Sequence, residues 1–358
     1  MHYCSQHTRF SHTSFLAVML FALISTCANT LAGHYDQNYA AMLSPRHTSV
    51  SKKPTSGFQP ELKTTEGILA VSTRQLMVWS LDGRIQLGNP EDGWGEIIQL
   101  PMTYVTSVAS DESGAILGGS LRSADSMEFG VVVRINDHGA ILKRWAWGEA
   151  GHGTTSDIFI FHWVASREDM RWATLRTDLF ALKPDGTVER QRDIPSGSIL
   201  LLGSQGRQVL CTPANLTKAH SAPAVCSSDS EMPWQAEGRW SHYPLICGDW
   251  LIEPGETNVV VRALHSGSQL RTLHLDASSA VACRGNDELV VGRTIIRGLS
   301  LPKLGSRWQA RVRDGSAKAL ASFGNRVAVL TTSGRVNLLG DRNSAPFPYS
   351  RTEGGSKK

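Results

Sequence analysis

The chain lacks the sequence patterns that identify most enzymes and cofactor-binding proteins. It contains no G-x-S-x-G nucleophile elbow, no Walker A loop and no G-x-G-x-x-G fingerprint, and the H-E-x-x-H and EF-hand spacings of metal sites are also missing. These absences remove the strongest sequence arguments for hydrolase, nucleotide and metal chemistry, so we expect no cofactor and no metal. Paired carboxylates for glycoside cleavage stay open, because their separation is a three-dimensional property.

Long apolar segments and sustained helical periodicity are absent as well. The apolar run near the N-terminus, Phe15–Ile24, is shorter than a membrane span and precedes small residues that end at Ala32. This pattern predicts a signal peptide over residues 1–32, with cleavage after Ala28 as the second choice. An uncleaved anchor and a lipoprotein acylated at Cys27 are the alternatives. The mature chain is therefore expected to be periplasmic or secreted, with no transmembrane segment.

Clustered charge of one sign is missing too. The formal net charge is +4, but the arginines are scattered over the chain and alternate with apolar residues. Arginines in that pattern are typical of solvated outer strands, where they resist edge association. A nucleic-acid partner requires a clustered basic stripe. We therefore expect no nucleic-acid binding.

A recurring hairpin is what the chain does contain. In Leu179–Arg190, apolar residues alternate on both sides of an Asp-Gly turn, as in a half-buried antiparallel pair. A degenerate copy lies near Ser227–Trp234. The turn glycines of the copies are Gly83, Gly139, Gly186, Gly267, Gly305 and Gly334. A period of about 40 residues with four short strands per copy is typical of a β-propeller. The sequence predicts an all-β chain with a single propeller of seven blades, each of about four antiparallel strands.

The repeats are expected to form one propeller domain over residues 58–341. The preceding segment, 33–57, is polar and interrupted by prolines, which predicts a flexible linker, and 342–358 is predicted to be a flexible tail. The last copy lacks a fourth strand. Because such rings often use one terminus to complete the blade at the other end, we assign Phe58–Lys63 as that strand. The copies are cut at 58–101, 102–148, 149–195, 196–238, 239–276, 277–314 and 315–341.

The cysteines agree with an exported chain. Two of the six lie within the predicted signal peptide, and the remaining even number favours disulfides. In the repeat register, Cys247 and Cys283 end the first strands of consecutive copies, whereas Cys211 and Cys226 flank a polar excursion. We therefore predict the pairs Cys211–Cys226 and Cys247–Cys283, with four separate buried thiols as the alternative. Metal ligation is disfavoured because no C-x-x-C pair or His/Cys cluster occurs.

The repeats resemble a known group of proteins. The run Leu179–Val188, an aliphatic strand that ends in a polar turn with Gly before an outer strand, is similar to the repeats of PQQ-like and WD40-like β-propellers. The resemblance extends loosely over residues 65–340. The outer-strand tryptophan of PQQ-type repeats is matched by Trp308 and Trp145, whereas the WD40 dipeptides and the vicinal cysteine pair of some quinoprotein dehydrogenases are missing. The resemblance therefore implies a fold and no activity.

The densest group of chemically informative residues surrounds a glycine-rich stretch. Trp145 and Trp147 lie at a spacing of two, on one face of a predicted strand, and His152 follows among glycines. An exposed aromatic pair beside such a loop stacks on a sugar or clasps a peptide. We therefore take Trp145, Trp147 and His152 as candidate binding residues. The alternative is that both tryptophans pack between neighbouring blades.

Two functional hypotheses follow. The first is an exported, non-catalytic propeller that binds a protein or a cell-envelope component, as a scaffold or an assembly accessory. The second is an exported hydrolase or lyase acting on glycans, with Asp157, His152 and His162 near one mouth of the channel. Convergence of acidic and His side chains from several copies on one mouth favours the enzyme; a mouth lined by small apolar residues and arginines favours the scaffold.

Overall fold

Seven small antiparallel sheets account for the regular structure of this chain. A computed structural model describes residues 58–111, 114–122, 128–147, 161–167, 170–175, 177–203, 207–213, 222–228, 234–240, 242–275 and 279–340. These residues belong to one compact unit, and no helix occurs among them. The predicted signal peptide, linker and tail lie outside the described residues.

The sheets are called blades 1 to 7 in chain order, and the strands of each blade are lettered a to d. Blade 1 contains β1 (Gly67–Ala70), β2 (Leu76–Trp79), β3 (Arg84–Asn89) and β4 (Gly93–Gln99). Blade 2 contains β5 (Tyr104–Asp111), β6 (Gly114–Arg122), β7 (Glu128–Asn136) and β8 (Ile141–Trp147). Blade 3 contains β9 (Trp163–Arg167), β10 (Met170–Leu175), β11 (Asp178–Leu182) and β12 (Val188–Asp193).

The remaining blades follow the same order. Blade 4 contains β13 (Ile199–Leu202), β14 (Gln208–Pro213), β15 (Ala222–Ser228) and β16 (Gln235–Trp240). Blade 5 contains β17 (Leu245–Cys247), β18 (Trp250–Pro254), β19 (Asn258–Ala263) and β20 (Gln269–His274). Blade 6 contains β21 (Ala280–Arg284), β22 (Glu288–Gly292), β23 (Ile295–Ser300) and β24 (Gly305–Arg311). Blade 7 contains β25 (Ala317–Phe323), β26 (Arg326–Thr331) and β27 (Val336–Gly340).

The blades form a closed ring. Strand a of each blade contacts strand a of the next blade, and β25 contacts β1. Strands b, c and d follow outward by antiparallel pairing. The chain is therefore a seven-bladed β-propeller, and the predicted fold class is confirmed. Six blades have four strands, and blade 7 has three among the described residues.

The hydrophobic core is divided into seven clusters, one between each pair of neighbouring blades. Between blades 1 and 2, for example, Met77 packs in the same cluster as Leu117. Successive side chains of a strand point to opposite faces of the sheet. In blade 6, Val290 therefore joins the cluster towards blade 7 and Val291 the cluster towards blade 5. Each such fully buried aliphatic side chain contributes about 1.5–3 kcal/mol.

The Asp-Gly turn between β11 and β12 illustrates the local chemistry of the repeat. Gly186 has a φ of 100°, which an L-residue rarely adopts. The Asp185 carboxylate accepts hydrogen bonds from the backbone N–H of Thr187 at 2.8 Å and from its hydroxyl at 2.7 Å. These two bonds hold the pKa of Asp185 below its ordinary value. The dipeptide therefore sets both the backbone conformation and the hydrogen bonding of the turn.

The repeat glycines mark two different hairpins. Gly83 and Gly334 lie between strands b and c of blades 1 and 7, whereas Gly139, Gly186 and Gly267 lie between strands c and d. The prediction of one recurring hairpin is therefore wrong, and this explains the unequal spacing of the glycines. Both kinds of turn favour a residue with positive φ. A glycine thus indicates a turn without indicating which turn of the blade it is.

The ring closes by side-chain packing where the described chain begins. Phe58–Lys63 forms no strand, so its assignment as the fourth strand of blade 7 is wrong. Leu62 is instead buried in the cluster between blades 7 and 1, and its N–H donates to Gln86 Oε1 at 3.1 Å. The Phe58 ring contacts the Trp94 ring, with 4.9 Å between their centroids. The apolar side chains of this segment therefore cover the two blades without sheet pairing.

Both predicted cysteine pairs lie at disulfide distance. Cys211 and Cys226 are directly opposite on strands b and c of blade 4, with sulfurs 2.07 Å and Cα atoms 4.1 Å apart. Cys247 and Cys283 join strands a of blades 5 and 6, with sulfurs 1.91 Å and Cα atoms 5.5 Å apart. The first pair therefore links strands within a blade, and the second links two neighbouring blades.

Candidate functional site

The propeller has two faces that differ in their turns. The a–b face carries the a–b and c–d turns, and the d–a face carries the b–c turns and the connections from strand d to strand a of the next blade. The widest spacings between consecutive strands, β8 to β9 and β14 to β15, belong to the d–a face. Connections on a rigid ring are where binding residues concentrate.

Exposed large apolar side chains also concentrate on the d–a face. Four of the six in the described part of the chain lie there, namely Leu81, Tyr104, Tyr243 and Ile295. The other two, Ile141 and Leu142, follow a c–d turn on the a–b face. Single exposed apolar residues are ordinary on a soluble protein, whereas a contiguous exposed apolar patch marks an interaction surface.

Tyr243 is the most exposed of these side chains, at 55%. Its ring contacts the Trp163 ring, with 4.9 Å between centroids. Trp163 begins strand a of blade 3 and Tyr243 precedes strand a of blade 5, so the pair spans blade 4 at the inner part of the d–a face. The Trp163 indole N–H donates to the carbonyl of Leu200 at 2.9 Å. Tyr243 is thus an accessible aromatic ring on an anchored support, an arrangement that favours partner binding.

Leu81 and Tyr104 lie close together on the same face. The N–H of Val105 donates to the carbonyl of Leu81 at 2.8 Å, which holds the b–c turn of blade 1 beside the start of strand a in blade 2. Asp82 and Arg84 form an ion pair at 2.6 Å next to this contact. The hydrogen bond from the Arg84 side chain lowers the pKa of Asp82. The surface therefore combines apolar groups with charged ones, as a protein interface does.

The predicted binding tryptophans contact the neighbouring blade. Trp145 is 2% exposed, and its indole N–H donates to the carbonyl of Lys183 in blade 3 at 2.8 Å. Trp147 lies 4.8 Å from the Phe180 ring, also in blade 3. His152 lies outside the described residues. The contacts of both tryptophans are those of inter-blade packing, and ligand binding by these three residues stays a prediction.

His162 links blades 3 and 4. Its Nε2 lies 3.0 Å from the Ser198 carbonyl oxygen and 3.0 Å from Thr174 Oγ1. Burial lowers the pKa of His162, although the hydrogen bond to Ser198 acts in the opposite direction. A neutral, hydrogen-bonded imidazole between two blades is a structural group. Asp157, its proposed partner in the enzyme hypothesis, lies outside the described residues.

Three acidic residues in the described part of the chain are deeply buried, and each is paired with arginine. Asp111 in blade 2 contacts Arg134 of its own blade and Arg171 of blade 3, the latter at 2.9 Å. Burial alone raises the pKa of Asp111, but hydrogen bonds from Ser166 and Arg134 and the charge of Arg171 outweigh it, so the pKa lies below its ordinary value. This carboxylate therefore stays ionised and joins two blades at the a–b face.

The other two buried acids are also paired with arginine. Glu253 accepts a hydrogen bond from Arg262 at 2.6 Å, and Glu288 contacts Arg284 at 2.7 Å. Burial raises the pKa of Glu253 despite its arginine partner. Trp308 donates its indole N–H to Glu288 at 2.5 Å. Carboxylates enclosed by arginine and tryptophan are inaccessible to a substrate, so their role is to hold strands together.

No group of three or more His, Cys, Asp or Glu side chains among the described residues is arranged to hold a metal ion. No helix in the same part of the chain has the length and apolar character needed to cross a membrane.

Comparison with known proteins identifies no family for this chain. No protein-family model matches the chain. No curated protein matches it either. Among solved structures, it is similar to the WD40 β-propeller domain of Doa1, with 14% sequence identity, a TM-score of 0.49, and coverage of 80% of this chain and 95% of that chain. At this level of similarity the fold assignment rests on the seven sheets described above.

The four exposed apolar residues of the d–a face were not identified from the sequence. Leu81 lies in the b–c turn of blade 1 and Ile295 begins β23, and in the sequence both read as ordinary strand positions. Tyr243 lies near the start of the predicted copy 239–276, where no sequence signal distinguishes it. Exposure itself depends on the neighbouring blades and is not encoded in the pattern of one strand.

Proposed function

We propose that this chain is an exported, non-catalytic β-propeller that binds another protein through its d–a face, as a scaffold or a cell-envelope assembly accessory. The observation that carries the proposal is the concentration of exposed apolar side chains on that face, with Tyr243 supported by Trp163. A rigid ring with connections of varied length is a common arrangement for binding.

Export is supported by two independent features. The N-terminal segment has the pattern of a signal peptide. The pairs Cys211–Cys226 and Cys247–Cys283 lie at disulfide distance, and structural disulfides persist mainly in oxidising compartments. A periplasmic or secreted location is therefore part of the proposal.

The glycan-acting enzyme is the weaker hypothesis. Among the described residues, the buried acids Asp111, Glu253 and Glu288 are each paired with arginine, and His162 is held between two blades. None of these side chains forms an accessible acid and base pair at the channel mouth. No observation in these ranges favours catalysis.

A comparison of matched surface variants tests the proposal. The d–a variant carries Leu81→Ser, Tyr104→Ser and Tyr243→Ser, and the control carries Ile141→Ser and Leu142→Ser on the a–b face. All five side chains are exposed, so both variants are expected to fold. Purified mature chains are used to capture proteins from the cell-envelope fraction, and the captured proteins are quantified by mass spectrometry.

The proposal expects a specific partner set that the control retains and the d–a variant loses. Truncation of an interface aromatic commonly costs more than about 1 kcal/mol of binding free energy, or roughly fivefold in affinity. Equal retention by both variants, or equal loss from both, contradicts binding through the d–a face.

A further inference from the structure

The outer strands of blades 5 and 6 carry arginines without acidic residues. Strands c and d of these blades, which are β19, β20, β23 and β24, contain no Asp or Glu. Two of their arginines are paired with acids from elsewhere, Arg262 with Glu253 and Arg307 with Asp287. Among the described residues, the other three have no ion-pair partner. These three are Arg271, Arg297 and Arg311.

Several exposed arginines of the propeller contact a carboxylate, as Arg84 does with Asp82 at 2.6 Å and Arg335 with Asp314 at 2.8 Å. Arg271, Arg297 and Arg311 share the outer strands of two neighbouring blades, and these strands contain no acidic residue. Acidic neighbours reduce the electrostatic potential of a basic side chain, and the absence of such neighbours leaves it available to an anionic ligand. The outer strands of blades 5 and 6 therefore form a region of uncompensated positive charge.

The strand register determines which neighbouring blade two of these arginines face. Arg271 lies opposite Val261 on strand c of blade 5, and Arg297 lies opposite Val291 on strand b of blade 6. Residues directly opposite in a sheet share a face. Both valines belong to the hydrophobic cluster between blades 5 and 6. Arg271 therefore faces blade 6, and Arg297 faces blade 5.

The third arginine and an apolar side chain extend the same surface. Arg311 lies directly opposite Ile295, and Ile295 is two residues from Arg297 on the same strand, so all three share one face of blade 6. Ile295 is 45% exposed, and all three arginines are exposed. The outer cleft between blades 5 and 6 thus combines three arginines with one apolar side chain.

We propose that this cleft binds an extended acidic segment of a partner protein. Guanidinium groups bind carboxylates through paired, charge-assisted hydrogen bonds, and Ile295 offers an apolar contact between them. The inference rests on the proposed protein-binding role and adds the chemistry of the partner. Ile295 belongs both to this cleft and to the d–a face, so the two surfaces adjoin.

The termini of the chain itself do not have the complementary charge. Residues 33–57 contain three Lys and Arg residues against one acid, and residues 341–358 contain four against two. A flat anionic membrane is also a poor match, because the arginines of the two blades face each other across a cleft and do not lie in one plane. A separate acidic protein segment is therefore the occupant that the charges favour.

Fluorescence anisotropy of the mature chain with a short labelled peptide of alternating Glu and Leu tests the inference. Binding is expected to weaken with added salt, because exposed charge pairs are screened. Reversal of the three arginines (Arg271→Glu, Arg297→Glu, Arg311→Glu) is expected to weaken binding by about tenfold or more. Replacement of the same three by Lys, which keeps the charge and loses the paired geometry, is expected to give an intermediate affinity.

The matched control is Lys63→Glu, Arg74→Glu and Arg122→Glu, which changes the net charge equally at exposed positions of blades 1 and 2 and of the segment that precedes blade 1. It is expected to bind the peptide as wild type does. Equal losses in the control and the cleft variant contradict the inference, because they indicate a net-charge effect. A second result would also overturn the inference: the chain does not bind the peptide, it sediments with vesicles of phosphatidylcholine and phosphatidylglycerol, and the cleft reversal abolishes that sedimentation. This result would indicate that the cleft binds a membrane.

The two proposals fail separately. Loss of peptide binding on cleft reversal, with full partner capture by the serine variant of the d–a face, supports the cleft and contradicts the proposed function. Unchanged peptide binding on cleft reversal, with loss of partner capture by the serine variant, contradicts the cleft and supports the proposed function.

Discussion

Asp111 offers a quantitative test of how the blades are held together. Its side chain is fully buried, and its arginine partners Arg134 and Arg171 are 23% and 10% exposed. Asp111→Asn preserves the shape of the side chain but removes its charge, so two largely buried guanidinium groups lose their counter-ion. Breaking a buried ion pair in this way costs about 3–5 kcal/mol. The partial exposure of the arginines places the expected loss near the lower limit, at about 3 kcal/mol.

The control for this substitution is Asp178→Asn, which also removes an arginine partner. Asp178 pairs with Arg190, whose side chain is 54% exposed, so its loss is expected to destabilise the fold much less than the loss of Asp111. The assay is urea unfolding at neutral pH, followed by circular dichroism and tryptophan fluorescence, with coincident transitions as the condition for deriving a free energy. Equal destabilisation by the two substitutions would refute the inter-blade role of Asp111.

The pH dependence of Asp111 gives a second readout. Because its pKa is lowered in the folded chain, the ionised group contributes stability above its ordinary value of 3.8, and that stability is lost as the pH falls through the folded pKa. The penalty of Asp111→Asn is therefore expected to be largest near neutral pH and to shrink in acid. A penalty that is constant with pH would contradict the ionised state.

Three further outcomes are expected. Burial raises the pKa of Glu253, so the protonated side chain contributes stability below the ordinary pKa of 4.5, and this stability is lost as the pH rises through the folded pKa. In urea melts, the free energy of unfolding of Glu253→Gln minus that of wild type should therefore increase from acidic to neutral pH. Non-reducing peptide mapping should recover Cys211 with Cys226, and Cys247 with Cys283, and reduction should lower the melting temperature without abolishing the β signal, because the two closed loops contribute about 3 and 4 kcal/mol. Intact mass of the exported chain should place its N-terminus near Gly33, and a mass that retains residues 1–28 would contradict export with cleavage.

The blade architecture was accessible from the sequence because it depends on local patterns. Alternation and turn residues recur in every blade, and the predicted copy boundaries enclose the observed strands except at β16, which continues to Trp240 beyond the boundary at 238. The type of hairpin was not accessible, because Gly83 and Gly186 meet the same conformational requirement in different turns. Closure was missed because Leu62 packs against two blades without sheet hydrogen bonds.

The candidate surface depends on long-range contacts and was therefore less accessible. Trp145 and Tyr243 are both aromatic residues in alternating or connecting segments, yet one is buried against blade 3 and the other is exposed. The sequence pattern indicates which side chains share a face but not whether the next blade covers that face. The buried role of Asp111 was hidden for the same reason, because its partner Arg171 belongs to another blade.

Site-specific photo-crosslinking detects protein binding through the d–a face. A photoreactive phenylalanine analogue is placed at Tyr243, Tyr104 or, as a control on the a–b face, Leu142, and the full-length chain is irradiated in the cells that produce it. Binding through the d–a face predicts a discrete crosslinked product with another protein from positions 243 and 104 and none from position 142. A product from Leu142 alone, or no product from Tyr243, would contradict it.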